Sequence, residues 1–154
     1  MRLQSLSYNE YLAAGLSPAL ARFASTSSHP IPNFDIFAAP VDWDYFIPEG
    51  VAAIVPLWSS NADGYFRWIR NGRTEYVFVS HESSDWWVLA HSEQGILAEL
   101  YRRCSESLQW DDKHEDQKKC DIFAAYIGFT RQREADNLLS NSSDDFGSWA
   151  KNIA

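Results

Sequence analysis

Two alternating runs, Tyr65–Arg70 and Arg73–Ser80, flank the dipeptide Asn71-Gly72. A two-residue hairpin loop needs positive φ at both central positions, and Asn-Gly meets that need better than other pairs. The turn therefore predicts an antiparallel hairpin and fixes its register. Arg70 faces Arg73, Trp68 faces Glu75 and Phe66 faces Val77 on one side. Ile69 meets Thr74, Arg67 meets Tyr76 and Tyr65 meets Phe78 on the other. The side with Tyr65, Ile69, Tyr76 and Phe78 is expected to pack inward, with Arg67 laying its stem on a tyrosine ring. The side with Trp68, Arg70, Arg73 and Glu75 is expected to be solvated near the turn. Because the arginines divide between two faces, the hairpin reads as sheet packing and not as a platform for stacking bases. If it meets a partner, the expected points are Trp68, Arg70 and Arg73.

Further strands surround this hairpin. Val51–Trp58 is an apolar run with β-branched residues, followed by a turn at Asn61-Ala62-Asp63-Gly64. His81–Asp85 is a polar turn, and Trp86–Ala90 is a last strand. Residues 31–50 are rich in proline and aromatics, so one or two short edge strands are expected there, pinned by Phe34, Ile36, Trp43, Tyr45 and Phe46. Helices are expected on either side of the sheet. Ser7 caps the first and Ser17-Pro18 starts the second, carrying Leu20 and Phe23 inward. Ser92 caps a helix whose Ile96, Leu97, Leu100, Tyr101, Cys104 and Leu108 share one face. Residues 113–127 form another, with Cys120, Phe123, Ala124 and Ile127 inward and Gly128 as its stop. Thr130 is expected to cap a helix reaching Leu139, and a short helix around Phe146, Trp149 and Ile153 follows. The fold class is α+β: an antiparallel meander of about 4–6 strands flanked by helices, with extra helices at the C-terminal end.

The chain reads as one domain over 1–154. Residues 1–49 hold N-terminal helices and the Pro/aromatic segment, 50–108 the meander and its helix, and 111–154 a helical extension. With 154 residues, a net charge of −8 and seven tryptophans, it can bury a full core. The negative charge opposes general nucleic-acid binding, which needs clustered Lys and Arg, and suits a partner with a basic surface. Cys104 and Cys120 read as buried thiols and not as a bridge. No apolar run reaches membrane-spanning length and no signal-peptide core appears, so a cytoplasmic location is expected.

Catalytic patterns are missing from the sequence. His81-Glu82-Ser83-Ser84-Asp85 and His114-Glu115-Asp116 each lack the second histidine of a metalloprotease helix. The carboxylates from Asp111 to Asp116 lack the glycine kink of a calcium loop. Gly64, Gly72, Gly95 and Gly128 are isolated, so no phosphate loop forms. Nothing in the sequence joins Asp63 to His91. Phe123–Leu139 has the outline of a helix-turn-helix, but Glu134 stands where an apolar residue belongs, and a plain helical hairpin is expected. A non-catalytic protein without cofactor or metal is the expectation.

The order of elements from 50 to 103 carries more. An apolar strand leads into Val55-Pro56-Leu57-Trp58, and the turn Asn61-Ala62-Asp63-Gly64 precedes an aromatic strand beginning Tyr65-Phe66. Val88-Leu89-Ala90-His91-Ser92 then leads into the helix Ile96-Leu97-Ala98-Glu99-Leu100. This third of the chain resembles the SUKH superfamily, which includes fungal cell-wall-assembly regulators and many bacterial immunity proteins. The resemblance implies an immunity protein of bacterial competition, one that binds a cognate toxin domain and blocks it without chemistry. A nuclease, with its basic cleft, is one toxin class it would fit. The alternative is a regulatory adaptor binding an endogenous partner. Either way the expected contacts are acidic and aromatic: Asp42, Trp43, Asp44, Trp68, Trp110, Asp111, Asp112, Glu115 and Asp116. No nucleic-acid or membrane partner is expected.

Overall fold

In the computed structural model, which describes residues 4–26, 37–38, 44–141 and 144–154, the Asn71-Gly72 turn forms with φ of 53° and 74°. The hairpin register is the expected one, from Gly64 opposite Val79 to Arg70 opposite Arg73. Five strands make one antiparallel sheet in chain order: β1 (Phe37–Ala38), β2 (Val51–Ser60), β3 (Asp63–Arg70), β4 (Arg73–Val79) and β5 (Trp86–Ala90). β1 is the short edge strand expected within 31–50, paired with Trp58 and Ser59 of β2. Phe34, Ile36 and Trp43 lie outside the described residues.

β2 bends twice, between Ala52 and Val55 and between Pro56 and Trp58. Pro56 lacks an N–H, and the bulge beside it is where a strand tolerates that loss. The turn from β2 to β3 is tighter than the sequence suggested. Asn61 and Ala62 alone hold positive φ, and β3 already begins at Asp63. Gly64 is therefore a strand residue. A Cβ there would lie 2.5 Å from the Phe66 ring, so glycine is needed for space and not for the turn.

The helices are α1 (Tyr8–Ala13), α2 (Pro18–Ala24), α3 (Glu93–Ser107), α4 (Lys113–Ile127), α5 (Gln132–Ser140) and α6 (Phe146–Asn152). Ser7, Ser17 and Ser92 each accept a first-turn amide as expected, and Asp112, which the sequence reading did not name as a cap, does the same for α4. α4 ends at Gly128, whose φ of 75° lets the Phe129 N–H turn back to the Ala124 carbonyl. Thr130 does not cap α5. Arg131 holds that position without a side-chain bond, while the Thr130 N–H and hydroxyl donate to Gln94 Oε1 at 3.0 and 3.1 Å. The tertiary contact to α3 outcompetes the local cap. The architecture is α+β, and no helix among the described residues is long and apolar enough to cross a membrane.

The main core lies between one sheet face and the helices. Tyr11, Leu20, Phe23, Leu57, Trp58, Ile96, Leu100, Tyr101 and Phe123 are all buried in it. Cys104 and Cys120 are buried free thiols on α3 and α4. The neighbouring Cys120 thiol, and then burial, push the Cys104 thiol well above its ordinary range.

The second sheet face corrects the expectation of a solvated side. Phe66, Trp68, Val77 and Val79 form a smaller core with Tyr45, and Glu75 is buried beside them. Tyr45 sets its ring edge on Phe66 at 5.2 Å and donates its hydroxyl to the Ala62 carbonyl at 2.6 Å. Strand parity assigned the residues to faces correctly. It carried no information about the segment before β2 covering one of them.

Candidate functional site

The α3–α4 junction brings together four of the nine expected contact residues. Trp110 holds φ of 57°, a left-handed backbone that costs a non-glycine residue about 1–2 kcal/mol. Its indole N–H donates to the Ser105 carbonyl at 2.9 Å, which folds the half-buried ring back over the end of α3. Asp111 and Asp112 follow it, both exposed. Asp112 Oδ1 accepts the Glu115 amide at 3.2 Å, so this carboxylate caps α4 while its charge faces solvent at the positive helix end. Glu115 is exposed and pairs with Lys118 at 3.3 Å. Neither Asp111 nor Asp112 pairs with a cation among the described residues.

Beside Trp110 opens a cleft of about 550 Å³, lined also by Lys113, His114, Gln117, Asp136 and Leu139. Asp136 sits partly buried there, accepting from the Tyr101 hydroxyl and from Gln117. Burial raises its carboxyl above the usual aspartate range, against the lowering effect of those two donors.

The other expected contacts do not join this group. Asp116 is only 7% exposed, because it shares the inward helix face with Cys120 and Phe123, and it pairs with Lys119 at 3.5 Å. Trp68 is 0% exposed, so it cannot serve as a surface anchor. Its indole N–H donates to Glu75 at 3.0 Å under the cover that Tyr45 and Trp86 help to provide. Asp44 is exposed, but it adjoins Tyr45 on the sheet face away from the helices. Asp42 and Trp43 lie outside the described residues.

The sequence reading missed a second cleft, of about 440 Å³, between α3 and the inner face of the sheet. Trp58, Tyr65, Phe78 and Trp87 line the sheet side, and Arg102 and Arg103 stand on the helix side. Trp87 is 51% exposed and stacks on Phe78 with ring centres 4.2 Å apart. Trp86 points the other way, against Trp68 and under the Arg70 guanidinium. One signal was available: adjacent tryptophans on a strand must face opposite sides. The lining otherwise comes from positions some forty residues apart, which no local pattern connects.

Asp63 does find a histidine, but it is His81 and not His91. Asp63 Oδ1 meets His81 Nδ1 at 2.8 Å and accepts the His81 backbone N–H at 3.0 Å, which ties the β2–β3 turn to the β4–β5 turn. His91 meets the Thr74 carbonyl at 3.3 Å. The Ser80 hydroxyl near the pair accepts the Glu82 amide at 3.2 Å. That geometry stabilises turns. Among the described residues, no cluster of three or more His, Cys, Asp or Glu side chains could hold a metal. Set beside known proteins, the chain matches no family model, no curated protein and no solved structure.

Proposed function

We propose that this protein is a cytoplasmic immunity protein that binds a cognate bacterial toxin domain and occludes it without catalysis. The observation that carries the reading is the α3–α4 junction: Trp110 held in left-handed backbone, followed by Asp111 and Asp112 without cationic partners among the described residues. Strained backbone persists where its surroundings hold it, and such positions concentrate at functional sites. A partly buried tryptophan is a binding anchor that loses little freedom on association. Unpaired carboxylates beside it have no internal ion pair to break when they meet a basic surface, and they raise the encounter rate. A nuclease cleft, built to hold phosphates, is a surface of that kind. The α+β meander agrees with the SUKH resemblance in element order, and the net charge of −8 acts in the same direction.

Co-expression with a candidate toxin domain, in cells that the toxin alone kills, tests the reading. Survival with a stable complex on gel filtration supports it. Undiminished killing with no complex overturns it.

A further inference from the structure

The α3–sheet cleft is built differently from the acidic junction, and its chemistry points to a ligand independently of the toxin reading. Three observations converge. Arg103 donates to the Tyr65 hydroxyl and to Ser60 Oγ, each at 2.7 Å, and meets no carboxylate among the described residues. Burial raises the Tyr65 pKa above its ordinary value, so that hydroxyl stays neutral and gives Arg103 no counter-charge. The two glutamates of the same wall are engaged by Arg102 instead, Glu99 at 2.7 Å and Glu106 at 3.5 Å. Arg103 is therefore a half-buried guanidinium with spare donors and no anion.

The second observation is Trp58. Its ring lines the cleft wall, is 2% exposed, and stacks on Tyr65 with ring centres 5.7 Å apart. The third is the apolar floor. Phe78 and Trp87 stack with their planes 24° apart, and half of Trp87 remains open to solvent. A cleft of about 440 Å³ falls within the usual range for small-molecule sites, which pair apolar walls with a few convergent polar groups.

We propose that this cleft binds a small aromatic monocarboxylate, with its ring against Trp87 and Phe78 and its carboxylate on Arg103. A cationic ligand would compete with Arg102 for both glutamates. A fully polar anion such as phosphate would leave the aromatic floor unused. A planar acid satisfies the guanidinium and covers the rings together.

Titration of the purified chain with indole-3-acetate, followed by calorimetry, tests this directly. The expected result is saturable binding at one site per chain, with a Kd of roughly millimolar or tighter. Indole-3-acetamide, which keeps the ring and loses the charge, is expected to bind at least about tenfold more weakly. Inorganic phosphate is expected not to compete. Arg103→Gln should weaken indole-3-acetate binding about tenfold or more while narrowing the difference between acid and amide. Since Arg103 also braces Tyr65 and Ser60, Trp87→Ala provides a second variant at an exposed position, and it should weaken acid and amide alike. No saturable heat with the acid overturns the proposal. So does equal affinity for acid and amide in the unaltered chain, or unchanged binding in a folded Arg103→Gln protein. None of these outcomes bears on toxin rescue, which involves the acidic junction.

Discussion

Glu75 on β4 accepts the indole N–H of Trp68, its direct cross-strand partner on β3, at 3.0 Å. The same buried carboxylate takes Arg70 through two bonds, at 2.8 and 3.1 Å. One acid thus satisfies a buried indole and a half-buried guanidinium, and removing it strands both. Glu75→Ala is expected to lower stability by about 3–5 kcal/mol. Glu75→Gln keeps an acceptor for Trp68 and should cost less, about 1–3 kcal/mol. Urea unfolding of both variants, compared with Arg70→Ala in a double-mutant cycle, checks the order.

Gly95 opens the first turn of α3 where α6 crosses it. A Cβ there would stand 2.4 Å from the Ala150 carbonyl oxygen and 2.7 Å from Ala90 Cβ. Alanine is the better helix former by about 1 kcal/mol, yet Gly95→Ala should destabilise by about 1–3 kcal/mol through overpacking. Gly147 has nothing within 4 Å of its added Cβ. Gly147→Ala should be neutral or stabilising, and thermal unfolding of the pair separates propensity from space.

Tyr11 donates its hydroxyl to the Pro56 carbonyl at 2.5 Å, and burial pushes its pKa from 10.0 to about 12. Burial does the same to Tyr76, also to about 12. A folded pKa above the unfolded one means stability that is whole below pH 10 and is lost as pH rises from 10 through about 12. Two such groups should remove about 3–5 kcal/mol across that window. Denaturant midpoints taken at increasing pH should fall there, and the fall should be shallower in Tyr11→Phe. A flat profile through pH 12 contradicts this account.

Asp111, Asp112 and Glu115 are the charges expected to guide the toxin. Replacing them with Asn, Asn and Gln keeps an acceptor at the α4 cap while removing three charges. Association with the toxin should slow by about tenfold at low salt, with a smaller salt dependence. Stopped-flow kinetics at two ionic strengths provide the readout. Equal rates in the altered and unaltered proteins would move the contact elsewhere.

Much of the fold was legible because its signals are local. The Asn71-Gly72 turn, the caps at Ser7, Ser17 and Ser92, and the Gly128 stop each depend on a few neighbouring residues. The misplaced cap at Thr130 shows the limit, since Gln94 draws it away from thirty-six positions earlier. The acidic junction was half legible. Trp110 and its following carboxylates were visible as a pattern, whereas the left-handed backbone beneath the ring was not.

The sequence alone determined which hairpin residues share each face of the sheet, because strand period and turn geometry act within a few bonds. Only the tertiary structure decided what covers those faces. Trp68 and Trp87 stand on opposite sides of one sheet, and nothing near them in the chain distinguishes a buried indole from an open one. Tyr45 and its segment lie over Trp68's face, which made Trp68 core, while Trp87 lines an open cleft whose helix wall carries Arg103. Burial is a property of what arrives from elsewhere in the chain.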